Sequence, residues 1–99
     1  MGVTSDTIIP ATTSLAYSQP FNVVGSRSIT AGPISTDEAV RIEYSYNGSD
    51  FEPLYLNGVL QEIDVKHSLI TIYGPGKFRC LKTATASPCG VYAWDSEAI

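Results

Sequence analysis

Apolar and polar residues alternate one by one from Val40 to Tyr46, the pattern of a β-strand with one buried face. Just before this run, residues 35–38 (S-T-D-E) match the S-x-x-E capping box that begins many helices. The apolar–polar alternation persists over seven residues, so it outweighs the helix signal of the four capping-box residues. We therefore predict a strand at 40–46, preceded by one helical turn at most.

Two Asn-Gly pairs divide the stretch 40–65 into three strand candidates. Asn47-Gly48 follows the first candidate, and Asn57-Gly58 separates the second from the third. Asn and Gly tolerate the positive φ angles of a two-residue hairpin turn, which makes this dipeptide the strongest short-range hairpin signal. We predict that the three strands pair antiparallel.

Short strand candidates also occupy the rest of the chain at a spacing of about ten residues, which is typical of sandwiches and barrels. They cover residues 21–24, 27–30, 40–46, 51–56, 59–65, 68–73, 77–83 and 90–94. Strands do not alternate with helical patterns, so a parallel sheet is not expected. We predict an all-β fold, an antiparallel β-sandwich or jelly-roll-like domain over residues 21–99.

The first twenty residues have a different composition, with seven Thr or Ser, two Pro and one charged residue. They form either an extended N-terminal arm, which needs another surface to become ordered, or an edge strand of the domain's own sheet. Ordering the backbone costs about 1–2 kcal/mol per residue, and the segment carries few apolar side chains to offset that cost. We predict that it packs against a partner chain through Ile8, Ile9 and Tyr17.

Composition and charge narrow the class of protein. Of 99 residues, 43% are apolar and 16% charged, which fits one packed core and excludes a charged disordered chain or a coiled coil. The net charge of −4 argues against nucleic acid as the main partner. The absence of about 18 consecutive apolar residues argues against a membrane span. The first residues, M-G-V-T-S-D, do not resemble a secretion signal, so we expect synthesis in the cytoplasm.

Candidate catalytic or metal-binding groups are few. His67 is the one residue with an ordinary pKa near neutrality, and it lies in a predicted turn without a ligand cluster. Asp50, Glu52 and Asp64 would bind Ca²⁺ if they met at one end of the sandwich, but the EF-hand spacing is missing. We favour an exposed turn histidine and ordinary surface carboxylates. We predict neither enzymatic activity, nor a cofactor, nor a metal site.

Cys80 and Cys89 lie symmetrically about the centre of a predicted hairpin over 77–94. In a regular antiparallel register they would face each other, with Cα atoms about 4.5–5.5 Å apart and within reach of a disulfide. A reducing cytoplasm favours free thiols. We predict two free, buried cysteines, with a disulfide as the alternative.

Several aromatic residues could line a sugar-binding face. At alternate strand positions, however, aromatic side chains more often belong to a core or a protein interface. The residues concerned are Tyr44, Tyr46, Tyr55, Tyr73, Tyr92 and Trp94.

Three segments resemble small β-sandwich virion proteins of tailed bacteriophages. They are 40–55 (VRIEYSYNGSDFEPLY), 69–79 (LITIYGPGKFR) and 89–94 (CGVYAW). In such proteins a strand-turn-strand of the S-x-D-G…W-x-P kind precedes a G-P-G-x-Y-R strand and a closing G-V-Y strand. This chain has Asn47 and Phe51 where Asp and Trp are commoner in those proteins. Asn47 keeps a turn-forming residue, and Phe51 keeps an aromatic one.

The resemblance implies a non-enzymatic structural protein of a phage particle. Its first implication is a capsid decoration (cement) protein, made in the host cytoplasm, that binds the major capsid protein and forms a homo-oligomer on the head. One alternative is a tail, neck or fibre component that contacts other virion proteins or host glycans. A further alternative is a carbohydrate-binding β-sandwich module.

Overall fold

The computed structural model describes residues 5–95, and all of its regular structure is β-strand. This confirms the predicted all-β, antiparallel fold. The strands are β1 (Ser5–Thr12), β2 (Ala16–Tyr17), β3 (Phe21–Val23), β4 (Ser26–Gly32), β5 (Val40–Ser45), β6 (Phe51–Pro53), β7 (Tyr55–Leu56), β8 (Val59–Leu60), β9 (Glu62–Ile63), β10 (Leu69–Tyr73), β11 (Gly76–Lys82) and β12 (Cys89–Asp95).

Two sheets form the sandwich. The first has the strand order β1-β12-β4-β10. In the second, β11 and β5 are central; β2 and β3 pair with the outer side of β11, whereas β6 and β9 pair with the outer side of β5. Strands β7 and β8 pair only with each other.

One hydrophobic core fills the space between the sheets, and both sheets contribute to it. Alternation along each strand directs every second side chain inward. The buried residues of the cluster are Ile9, Ile29, Ile70, Ile72, Val91 and Ala93 from the first sheet and Val23, Val40, Ile42, Ile63, Phe78 and Cys80 from the second.

At one corner of the sandwich, two chain segments pass side by side from one sheet to the other. Residues 21–32 and 69–82 run antiparallel, and each passes from one sheet to the other, so that Val23 is opposite Gly76 and Ser26 is opposite Tyr73. Between these pairs, the amide of Gly74 donates a 2.7 Å hydrogen bond to the carbonyl of Gly25. Strands that switch sheets in this way need a sharp bend where the backbones approach closely.

The predicted antiparallel pairing within 40–65 is confirmed, with shorter strands than expected. Candidate 51–56 is divided into β6 and β7 at Leu54, and candidate 59–65 is divided into β8 and β9 at Gln61. Gly48, Asn57 and Gly58 all have positive φ, as hairpin turns require.

The capping-box residues form a turn and no helix. The Glu38 carboxylate accepts a 2.8 Å hydrogen bond from the Ser35 amide, as in a capping box. Asp37, however, has φ of 69°, which a right-handed helix does not allow.

From Ser5 onward, the N-terminal segment belongs to the sandwich itself. Strand β1 pairs with β12 from Ser5 opposite Trp94 to Thr12 opposite Cys89. The Ile9 side chain is 3% exposed and lies in the core. These residues therefore do not extend away from the domain as an arm, and residues 1–4 lie outside the described part.

Candidate binding surface

A two-stranded hairpin, residues 54–61, projects from the edge of the second sheet; we call it the projecting hairpin. At its base, Leu54 donates to the carbonyl of Ile42, and the Ile42 amide donates to the carbonyl of Gln61, at 2.9 and 3.1 Å. The Gln61 amide closes the base by donating to the carbonyl of Leu54 at 2.8 Å. Beyond this point β7 and β8 pair only with each other. Residues 55–59 of the hairpin are all exposed.

The projecting hairpin is apolar and uncharged. Its sequence is L-Y-L-N-G-V-L-Q, and the nearest charged residues are Glu52 and Glu62. Tyr55, Leu56 and Val59 are 58%, 41% and 61% exposed. An isolated two-stranded hairpin is at best marginally stable in water, and exposed contiguous apolar surface is typical of binding sites. We regard this hairpin as the main candidate for contact with another molecule.

A second candidate is the outer face of the second sheet, where Arg79 occupies the centre. Its guanidinium carbon lies 4.5 Å from the ring centre of Tyr17 and 4.5 Å from that of Phe51. Arg79 Nε also donates a 2.6 Å hydrogen bond to Oε1 of Glu43, which is directly opposite it in the β11–β5 pairing. Two aromatic contacts and one ion pair hold this side chain in place.

The Arg79 cluster leaves little of its charge exposed. The Glu43 side chain is only 10% exposed, and that of Arg79 is 29% exposed. Tyr17 keeps about half of its surface free. No local sequence pattern marks this cluster, because its members come from four different strands, β2, β5, β6 and β11.

The three residues predicted to contact a partner have different positions. Ile9 is buried in the core, and Ile8 packs partly against that core. The two isoleucines therefore contribute to the sandwich of this chain. Tyr17 lies on the outer sheet face beside Arg79, where its contact with a partner stays a prediction.

The acidic residues proposed as a possible Ca²⁺ site serve local turns. Asp50 accepts a hydrogen bond from the side chain of Asn47 at 2.8 Å, and Asp64 accepts amide hydrogen bonds from Lys66 and His67 at 2.9 and 2.8 Å. These bonds, first of all the one from Lys66, lower the pKa of Asp64. Among residues 5–95, no three His, Cys, Asp or Glu side chains lie close enough together to hold a metal ion.

The His67 ring is mostly exposed, as expected for a turn residue. Its Nδ1 lies 3.1 Å from Oδ1 of Asp64, three residues earlier in the same turn. This pair stabilises the turn between β9 and β10.

The predicted hairpin over 77–94 is wrong, and so is the facing register of its cysteines. Strand β11 lies in the second sheet and β12 in the first, so Cys80 is opposite Ile42, whereas Cys89 is opposite Thr12. Both cysteines are free and buried in the structure. The loop 83–88 crosses between the layers instead of forming a tight turn.

The buried thiols should react only when the protein unfolds. Burial raises the pKa of the Cys80 thiol to about 12, with the charge of Glu43 adding to the effect, and burial also raises the pKa of Cys89. For a domain of about 5 kcal/mol stability, we expect iodoacetamide labelling at pH 8 to be at least about 1,000-fold slower in buffer than in urea, as followed by mass spectrometry. Rapid labelling of either cysteine in buffer would contradict this burial.

The raised pKa of Cys80 should make the protein less stable at alkaline pH. Because the pKa of Cys80 is higher in the folded protein than its ordinary value of 9, the unfolded chain loses this proton first as the pH rises. Stability is then lost from about pH 9 through pH 12. Urea titrations of the wild type and of Cys80→Ala at pH 8 and pH 10 should show the larger loss in the wild type. Equal losses would mean that the thiol does not contribute.

No protein-family model matches the chain, and no characterised protein or solved structure is significantly similar to it. Residues 5–95 contain no helix long and apolar enough to cross a membrane.

Proposed function

We propose that this chain is a non-enzymatic structural protein of a phage particle, a capsid decoration protein that attaches to the head surface through the projecting hairpin. The observation that carries the proposal is an uncharged hairpin with three exposed apolar side chains, Tyr55, Leu56 and Val59, on an otherwise compact sandwich. The resemblance to small phage virion proteins supplies the biological context.

The energetics suit attachment in many copies. Full burial of one large apolar side chain contributes about 1.5–3 kcal/mol, so three partly exposed residues support a modest interface. On a particle surface, many copies and neighbouring contacts turn a modest affinity into stable occupancy. Because Glu52 and Glu62 flank the hairpin, the matching socket on the major capsid protein should be apolar with basic residues at its rim.

The test uses particles that lack this protein. Phage particles assembled from a genome without the gene should bind the added wild-type protein in multiple copies, which cosedimentation and quantitative mass spectrometry would measure. The variants Tyr55→Asp and Val59→Asp should each bind at least about 10-fold more weakly, because a buried carboxylate without a partner costs more than 1.4 kcal/mol. Circular dichroism should be unchanged, since both side chains are exposed.

Leu15→Asp is the matched control. Leu15 is 59% exposed and lies in the loop between β1 and β2, away from the hairpin. It should bind as the wild type does. Binding that the hairpin variants do not weaken would contradict the proposed surface, and the outer face around Tyr17 would become the next candidate.

Other results would favour the alternative functions. Binding to isolated tails or fibres, with none to heads, would indicate a tail, neck or fibre component. Retention on a glycan array would favour a carbohydrate-binding module, for which the exposed tyrosines would supply stacking surfaces. These are Tyr17, Tyr46, Tyr55 and Tyr73.

A further inference from the structure

Strand β10 is an open edge of the first sheet. It pairs with β4 on one side, without interruption from Leu69 opposite Thr30 to Tyr73 opposite Ser26, and no strand in residues 5–95 pairs with its other side. Its five residues are L-I-T-I-Y, without a charge, a proline or a bulge. Such an edge presents unpaired backbone donors and acceptors to any extended chain.

The other edges carry the features that normally prevent strand addition. Strand β1 contains Pro10 and two register irregularities along its pairing with β12. Strand β6 ends in Pro53, and the strands β2, β3 and β9 have only two or three residues. Prolines, bulges and short strands all block edge-to-edge pairing. Strand β10 alone among these edges has none of them.

The projecting hairpin does not cover this edge. A groove of about 540 Å³ separates the two, with Val59, Leu60 and Gln61 on one side and Leu69, Ile70 and Thr71 on the other. The first three residues of β10 therefore line an open groove and are not covered by the hairpin.

The sequence of β10 is nearly symmetric about Thr71. Ile70 and Ile72 are equivalent and buried, whereas Leu69 and Tyr73 at the two ends are 53% and 68% exposed. In an antiparallel pairing of two copies centred on Thr71, Leu69 lies beside Tyr73 of the second copy, and the two threonines face each other. Aromatic–aliphatic and Thr–Thr pairs are both favourable across strands.

We infer that β10 is a self-association edge, and that two copies of this chain pair antiparallel through β10 about a two-fold axis at Thr71. The occupant is a second copy because the strand complements itself. Leu69 and Tyr73 of one copy cover Tyr73 and Leu69 of the other, and the strand carries no charge that would repel its copy. The pairing joins two four-stranded sheets into one of eight strands and is closed by its symmetry. This inference does not depend on attachment to a particle.

Sedimentation of the purified full chain tests the association. Five paired residues form a small interface, so we expect the weight-average mass to rise from 10.6 kDa toward twice that value between about 10 µM and 1 mM. Leu69→Lys and Tyr73→Lys should each keep the protein monomeric over this range, because an ammonium then replaces one member of both Leu69–Tyr73 pairs, and lysine on an edge strand opposes strand addition. Leu15→Lys, an equally exposed substitution elsewhere, should associate as the wild type does.

Cysteine cross-linking tests the register. Thr71→Cys places two thiols on opposite positions, with Cα atoms about 4.5–5.5 Å apart, so mild oxidation should give a covalent dimer. In Leu69→Cys alone, the two thiols lie four residues apart along the strands, about 13 Å, and should cross-link no faster than Leu15→Cys. A mixture of Leu69→Cys and Tyr73→Cys should form the mixed dimer.

Three results would overturn the inference. The first is a protein that stays monomeric up to about 1 mM, the highest concentration at which we expect so small an interface to give dimers. The second is association that Leu69→Lys and Tyr73→Lys leave intact, since another surface would then be responsible. The third is cross-linking of Thr71→Cys at the rate of Leu15→Cys, because the two-fold register would then be absent even if oligomers form.

Discussion

Replacing Gly74 with alanine should cause a large loss of stability. A Cβ at this position would lie 2.0 Å from the carbonyl oxygen of Val23 and 2.6 Å from its carbon. Both atoms belong to the backbone, so the corner where the two crossing segments meet must open to accept the methyl group. We expect a loss of about 3 kcal/mol or more in the free energy of unfolding, or about 12 °C or more in Tm.

Gly32→Ala is the control for this prediction. Gly32, like Gly74, stands directly before a proline, but a Cβ there would meet no heavy atom within 4 Å. Its substitution should change the free energy of unfolding by less than about 1 kcal/mol. Thermal and urea unfolding of the two variants would measure the difference. Similar losses in both variants would show that glycine is needed at position 74 because it precedes a proline, and not because the backbone of Val23 lies so close.

Arg79→Met should produce the second large effect. The substitution keeps an apolar stem against Tyr17 and Phe51 but leaves the carboxylate of Glu43, which is 10% exposed, without its cation. Removing one partner of a buried ion pair costs about 3–5 kcal/mol, and because Arg79 is partly exposed we expect a smaller loss, about 2–3 kcal/mol. Urea unfolding at pH 7 would measure it.

A neighbouring ion pair offers the matched control. Arg41 and Glu62 are opposite each other in the same sheet, but their charged atoms are 3.9 Å apart and Arg41 is 44% exposed. Arg41→Met should therefore cost less than about 1 kcal/mol. Adding Glu43→Gln to Arg79→Met should restore part of the lost stability, since the unpaired charge is then removed. A double variant less stable than Arg79→Met would contradict the electrostatic explanation.

The sequence predicts those parts of the fold that depend on neighbouring residues. The alternation in β5 and the turn residues Asn47-Gly48 and Asn57-Gly58 act over a few positions, so the pairing within 40–65 followed directly from them. The break at Leu54, which creates the projecting hairpin, has no comparable local signal. It arises because β6 and β9 share the edge of the single strand β5.

The sequence does not predict which strands become neighbours across the layers. The apolar patterns of β11 and β12 are the same whether the two pair or lie in different sheets about 10 Å apart. Symmetry of the cysteine spacing therefore misled the prediction. Lys82 illustrates the same limit: it occupies an inward position and is fully buried, and its ammonium donates to the carbonyls of Ser14 and Thr83 at 2.9 Å each. Only the folded loops supply these acceptors.

The pairing of β1 with β12 has a consequence for how the protein is made. β12 is a central strand of the first sheet, inserted between β1 and β4, yet it is synthesised after the eleven other strands of the described residues. At typical rates of translation, about 4–16 s pass between the synthesis of β1 and that of β12, its only sheet neighbour among residues 5–95. Until β12 is made, Ile9 and Ile29 lack the residues that are opposite them in the folded sheet, Val91 and Ala93, and their apolar side chains are available to a chaperone or to another nascent chain. The sandwich closes only when translation has passed residue 95.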